Sequence, residues 1–121
     1  MANTDTAQNK LCRELGSEYS IRFIDLERVI YRDFHNGFDV EISGTHTASP
    51  KKTATIYLWF NDGQGIGLIV KAVRNVRREN ISGVVDKLFL LTQKIIAEGR
   101  NNRRAALEMA GGDKWCNEDE L

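Results

Sequence analysis

The chain has 121 residues and a mass of 13.7 kDa, 41 % hydrophobic and 28 % charged, which fits one globular domain and excludes disordered, collagen-like and coiled-coil chains. Its 17 basic and 17 acidic side chains cancel overall but not locally: residues 1–49 sum to −3, 50–70 to +1, 71–104 to +6 and 105–121 to −4. Zero net charge therefore does not exclude a polyanionic partner. The first ten residues are polar and no run nears the ~18 apolar residues of a membrane span, so a cytoplasmic protein with no membrane partner is expected. Cys12 and Cys116 lie near opposite ends and read as two free thiols.

Residues 5–16 read as a short helix, with Asp5 as cap, Leu11, Cys12 and Leu15 on one side, and Gly16 as stop. Residues 17–28 fit a helix face or a strand, and periodicity does not decide. Residues 29–35 and 38–43 flank Asn36-Gly37, a strong two-residue hairpin signal. That turn sets Arg32 opposite Glu41 and puts Val29, Tyr31, Phe38, Val40 and Ile42 on one face. Residues 44–52 form a polar loop. The β-branched and aromatic stretch 53–60 reads as a third strand, 61–65 as a turn and 66–73 as a fourth strand. Asn80 then caps a helix from Ile81 to Glu98. One arc of it carries Ile81, Val84, Val85, Leu88, Phe89, Leu91, Thr92, Ile95 and Ile96. Asn101 or Asn102 caps a further short helix over 103–110. The expected fold is α+β: a four-stranded antiparallel meander with a long C-terminal helix packed on one face and a short N-terminal helix. Residues 1–112 form the domain and 113–121 a flexible acidic tail.

No pattern of catalytic residues emerges, and none of a metal site or cofactor. Gly63, Gly65 and Gly67 have the spacing of a phosphate loop but lead into a strand rather than a helix. His35 and His46 have no partners at metal-ligand spacing, and Asp39 and Glu41 read as the solvent side of a strand. Not an enzyme but a binding protein is the expectation. Alternation sends Tyr57 and Trp59 to the back of the sheet with Ile69, Val73, Arg32, Phe34 and Lys71. Aromatics among basic side chains on such a sheet can stack single-stranded nucleic acid. The simpler reading has the N-terminal helix cover this face through Leu11 and Leu15, and a protein partner could do the same. Leu90, alone on the polar arc of the long helix, reads as an exposed leucine or as the centre of a contact, including a homodimer. Arg74, Arg77 and Arg78 before that helix, and Arg100, Arg103 and Arg104 after it, form two basic patches suited to phosphate or carboxylate. Trp115, set among acids, fits a recognition peptide or a segment that folds back and masks the basic surface.

Residues 27–73, with the Asn-Gly hairpin and the Tyr57-Leu-Trp-Phe60 strand ahead of an amphipathic helix, resemble small accessory proteins carried by phages and mobile elements, some of which inhibit CRISPR effectors. The resemblance implies a regulator or inhibitor in the host cytoplasm with a protein or nucleoprotein partner. Arg32, Phe34, Tyr57, Trp59, Lys71, Leu90 and Trp115 are the candidate contact residues. A nucleic-acid-binding module using the two arginine patches is the alternative. Strongly acidic inhibitors of that kind mimic nucleic acid; this neutral chain with a basic half fits surface occlusion better.

Overall fold

The computed structural model describes residues 6–46, 53–61, 63, 67–99 and 101–121. Helix α1 (Thr6–Leu15) leads into strands β1 (Ser20–Ile24), β2 (Glu27–Asp33), β3 (Phe38–Ser43), β4 (Thr53–Asn61) and β5 (Gly67–Arg77). Helices α2 (Ile81–Ala97) and α3 (Asn102–Gly111) follow, then a short strand β6 (Trp115–Asn117). The six strands form one sheet in chain order, antiparallel throughout except for the parallel pairing of β5 with β6. The α+β class is as expected, but the sheet is mixed and gains a strand at each edge. Residues 17–28 supply β1, and the stretch expected to be a flexible tail supplies β6. No helix of the described residues is long and apolar enough to cross a membrane.

The β2–β3 hairpin departs from the two-residue turn that Asn36-Gly37 suggests. Phe34 N–H donates to Phe38 O at 3.0 Å, leaving a three-residue loop in which His35 (φ 58°) and Gly37 (φ 92°) take the left-handed conformation. Arg32 consequently faces Val40 and Tyr31 faces Glu41, one residue out of the expected register. Because side chains alternate with period two, this slip exchanges the faces of β2. Packing explains the outcome: Ile30 is fully buried, and Phe34 meets Phe89 of α2 edge-on, 5.1 Å between centroids. Asn36 fixes the loop by accepting from Phe38 N–H (3.1 Å) and donating to Thr92 Oγ1 on α2 (2.9 Å). The two-residue turn with both central φ positive occurs instead at Asp25-Leu26, between β1 and β2.

The core lies on one side of the sheet. Ile30, Val40, Ile42, Ile56, Leu58, Val70, Val73 and Val76 meet Ile81, Val84, Val85, Leu88 and Ile95 of α2, and Ala105 and Ala106 of α3. Phe89 and Leu91 are half-buried at the margin of this arc, and Ile96, expected inside it, is exposed. Asn101 caps α3 as expected, its Oδ1 accepting from the backbone N–H of Arg103 and Arg104 at 3.0 and 3.2 Å. Asn80 makes no capping bond. Helix α1 joins the same side: Cys12 is in the core, with Leu11 and Leu15 against it. Its Gln8, fully buried, donates to Arg28 O and Thr45 Oγ1 (both 2.9 Å) and accepts from Arg28 Nη1 (2.6 Å), locking α1 onto β2. The expected cover of the back of the sheet by Leu11 and Leu15 is therefore corrected.

Candidate functional site

With α1, α2 and α3 on one side, the other side of the sheet faces outward. Alternation along β4 delivers Tyr57 and Trp59 there, as expected. The hairpin slip brings Val29 and Tyr31; β3 adds Asp39 and Glu41, β1 adds Arg22 and Ile24, β5 adds Ile69 and Arg74, and β6 adds Trp115. Four residues placed on this face by sequence are elsewhere or at its margin. Phe34 and Arg32 belong to the helix side, where the Arg32 guanidinium sits 5.4 and 5.3 Å from the Tyr19 and Phe34 rings. Register shifts opposite Thr55 and between Leu58 and Trp59 turn Val73 into the core and leave Lys71 across from Leu58. Each shift inserts an extra residue in β5, and alternation counted from one end of the strand no longer holds at the other.

This face covers itself with polar and aromatic groups. Tyr31 O–H donates to Asp39 Oδ2 at 2.7 Å, and the Arg22 guanidinium lies 3.9 Å from the centroid of the Tyr31 ring. Trp59 Nε1–H donates to Glu41 Oε1 at 3.1 Å. Trp115 packs edge-on to Tyr57 with Arg74 4.3 Å from its ring centroid. Beneath this layer Asp39 and Glu41 are 8 % and 7 % exposed. Burial is the main cause holding both carboxyls above their ordinary range, partly offset by the Tyr31 and Trp59 donors; Glu27, Asp25 and Asp39 add repulsion at Glu41. Burial, with the Asp39 carboxylate, also drives the Tyr31 hydroxyl far above its usual range. Between Arg22, Ile24, Tyr31, Asp39, Trp59, Asn61 and Gly67 lies a shallow pocket of about 240 Å³. Gly67 packs closely here: a Cβ would come to 3.3 Å from Trp59 Cε3, so a side chain would need the indole to give by a few tenths of an ångström.

The arginine patches divide. Arg74 and Arg77 are on β5, and Arg78 opens the short turn before α2. Arg77 pairs with Glu118 at 3.3 Å, and Arg104 in α3 pairs with Glu108 at 3.5 Å. Arg103 is also in α3, and Arg100 lies outside the described residues. Leu90 is 62 % exposed on α2, on the other side of the sheet from Tyr57 and Trp59. Both cysteines are free thiols, Cys12 buried and Cys116 half-buried. Among the described residues no three His, Cys, Asp or Glu side chains are placed to hold a metal ion.

The structure thus unites Tyr57, Trp59 and Trp115 and separates them from Arg32, Phe34 and Leu90. It adds Arg22, Tyr31, Asp39 and Glu41, which sequence reasoning missed. The alternation of Asp39 and Glu41 with Phe38, Val40 and Ile42 already assigned their face. Their burial depends on Tyr31 and Trp59 from neighbouring strands, which no local pattern reveals. The chain matches no protein-family model, no curated protein and no solved structure.

Proposed function

We propose that this chain is a small non-catalytic binding protein that acts by protein–protein contact through the open sheet face, as a regulator or inhibitor of the kind carried by phages and mobile elements. The observation that carries the reading is the composition of that face: Tyr57, Trp59 and Ile69 half-exposed around the buried carboxylates of Asp39 and Glu41. Large, stiff aromatics with a polar handle are the side chains that dominate protein interfaces, because they bury much area at little entropic cost. Asp25, Glu27, Asp39 and Glu41 give the centre a negative field, while its cations, Arg22 and Arg74, lie against the Tyr31 and Trp115 rings. Such a field repels phosphate and favours a partner presenting Lys or Arg. Stacking of single-stranded nucleic acid on Tyr57 and Trp59 is disfavoured for the same reason.

A photo-crosslinking amino acid placed at Tyr57, or at Leu90 as a control on the opposite side, tests the reading in the source cells. The expected result is a discrete protein adduct from position 57 that survives nuclease treatment and is absent from position 90. Adducts that nuclease removes would transfer the function to the arginine patches. Equal labelling from both positions, or none from position 57, would sink the open-face reading.

A further inference from the structure

Strand β6 is an unusual member of the sheet. It has three residues, pairs in parallel with the edge of β5 (Ala72 with Trp115, Val73 with Cys116, Arg74 with Asn117), and closely follows α3, whose last residue is Gly111 and whose C-cap is Gly112. Ala72 N–H donates to Lys114 O at 2.8 Å. Three side-chain contacts fix the register, one of them Asn75 Nδ2 donating to Asn117 Oδ1 (2.9 Å). Trp115 sits between Tyr57 and Arg74, and three residues later Glu118 accepts from Arg77 N–H (2.9 Å), Arg77 Nε (3.3 Å) and Asn80 Nδ2 (2.8 Å). The Glu118 carboxyl is held below its ordinary range, first by the Arg77 backbone N–H and then by Asn80. Cys116 and Leu121 pack against the margin of the core, and a strand edge with an aromatic seat and a carboxylate seat three positions apart holds the segment. That is how proteins capture extended peptides by adding a strand to a sheet.

We infer that the edge of β5, with Tyr57, Arg74, Arg77 and Asn80, is a peptide-binding groove, and that residues 114–118 are its resident occupant. The partner it fits is an extended acidic segment of another protein, running parallel to β5, with an aromatic residue at one position and a glutamate three positions on. Charge complementarity supports this: residues 71–104 carry +6 and residues 105–121 carry −4. Three parallel-paired residues at a sheet edge also form a weak attachment. A tethered segment competes at an effective concentration in the millimolar range, so an incoming peptide must outbid it or meet a chain whose own segment has been loosened. The inference shares Tyr57 and Arg74 with the open-face reading and is tested apart from it through the Glu118 seat, where Arg77 at the end of β5 and Asn80 beyond the sheet receive the carboxylate.

The test uses the full chain and a fluorescent synthetic peptide with the sequence of residues 113–121. Fluorescence anisotropy should show the peptide binding at least about tenfold more tightly to a Trp115→Ala/Glu118→Gln chain than to the unaltered one. Adding Arg77→Ala to that chain, or replacing the peptide glutamate that corresponds to Glu118 by glutamine, should remove about tenfold or more. Amide exchange in the unaltered chain gives an independent reading. The Ala72 amide should exchange through local opening, faster than the amides of β4, and slow when excess peptide is added. The inference is overturned if Ala72 is as protected as β4, or if the loosened chain fails to bind the peptide. It is equally overturned if a single-stranded oligonucleotide takes the groove instead, or if light scattering shows that loosening only produces dimers exchanging their own segments.

Discussion

On its helix side the sheet buries Ile30, Val40, Ile42, Ile56 and Leu58 completely, under apolar side chains of the helices. On its open side it buries Val29 and Ala72 just as completely, but under a single layer of Arg22, Tyr31, Tyr57, Trp59 and Trp115 contributed by the sheet itself. The first arrangement is held by volume and close packing, so its stability resides in methyl and methylene groups. The second is held by guanidinium–aromatic contacts and by hydrogen bonds onto two buried carboxylates. It leaves large aromatics half in contact with water, a state that further cover by a partner improves.

If that contrast is right, the largest loss of stability comes from the helix side. Leu88→Ala removes a fully buried side chain between α2 and the sheet and should cost about 2–5 kcal/mol, read by denaturant unfolding. Tyr31→Phe is the matching probe of the open side. It changes little volume but leaves Asp39, buried, without the tyrosine donor, and should cost about 1–3 kcal/mol at neutral pH. The cost should shrink in acid, because a protonated Asp39 no longer needs that donor, whereas the Leu88→Ala deficit should be nearly independent of pH.

Acid titration sharpens the contrast further. Asp39 and Glu41 have folded values raised above their ordinary 3.8 and 4.5. Their contribution to stability is therefore greatest below those ordinary values and is lost as pH rises through the folded ones. Glu118 is displaced the other way: its contribution is present above 4.5 and is lost as pH falls through its lower folded value. Lowering the pH from 7 to 5 should thus leave β6 docked and should not weaken the sheet through Asp39 and Glu41. Below 4.5, the Trp115 indole resonance should shift toward its solvent-exposed position before that of Trp59 moves. The smallest effect belongs to the outer side of α2. Leu90→Asp should change stability by no more than about 0.5 kcal/mol, and loss of a dimer in light scattering would instead reveal a contact there.

What was legible in the sequence was what depends on neighbours along the chain: the apolar arc of α2 through Leu88 and Thr92, the alternation of β4, and the Asn101 cap of α3. What was not legible depends on residues distant in sequence. Asn36-Gly37 carries the local signature of a two-residue turn. The burial of Ile30 and the Phe34–Phe89 contact select a register one residue away, and with it the face of every β2 side chain. The true two-residue turn sits at Asp25-Leu26, where no glycine announces it. Strand β6 escaped for the same reason, since Trp115-Cys-Asn117 is too short and polar to signal a strand and is received by Tyr57, Arg74, Asn75, Arg77 and Asn80, all distant in sequence. Among the site residues, Tyr57, Trp59 and Trp115 were found from composition and alternation, whereas Asp39 and Glu41 gain their interest only from the neighbours that bury them.

The central claim is that the open face serves contact more than it serves the fold, and Tyr57→Ser tests it most directly. Half-exposed and at the centre of β4, Tyr57 should be removable at a cost of about 1 kcal/mol in denaturant unfolding. Affinity for the protein captured by crosslinking at position 57 should fall by about tenfold or more in the same variant. Unchanged affinity, or a stability loss matching that of Leu88→Ala, would contradict the account.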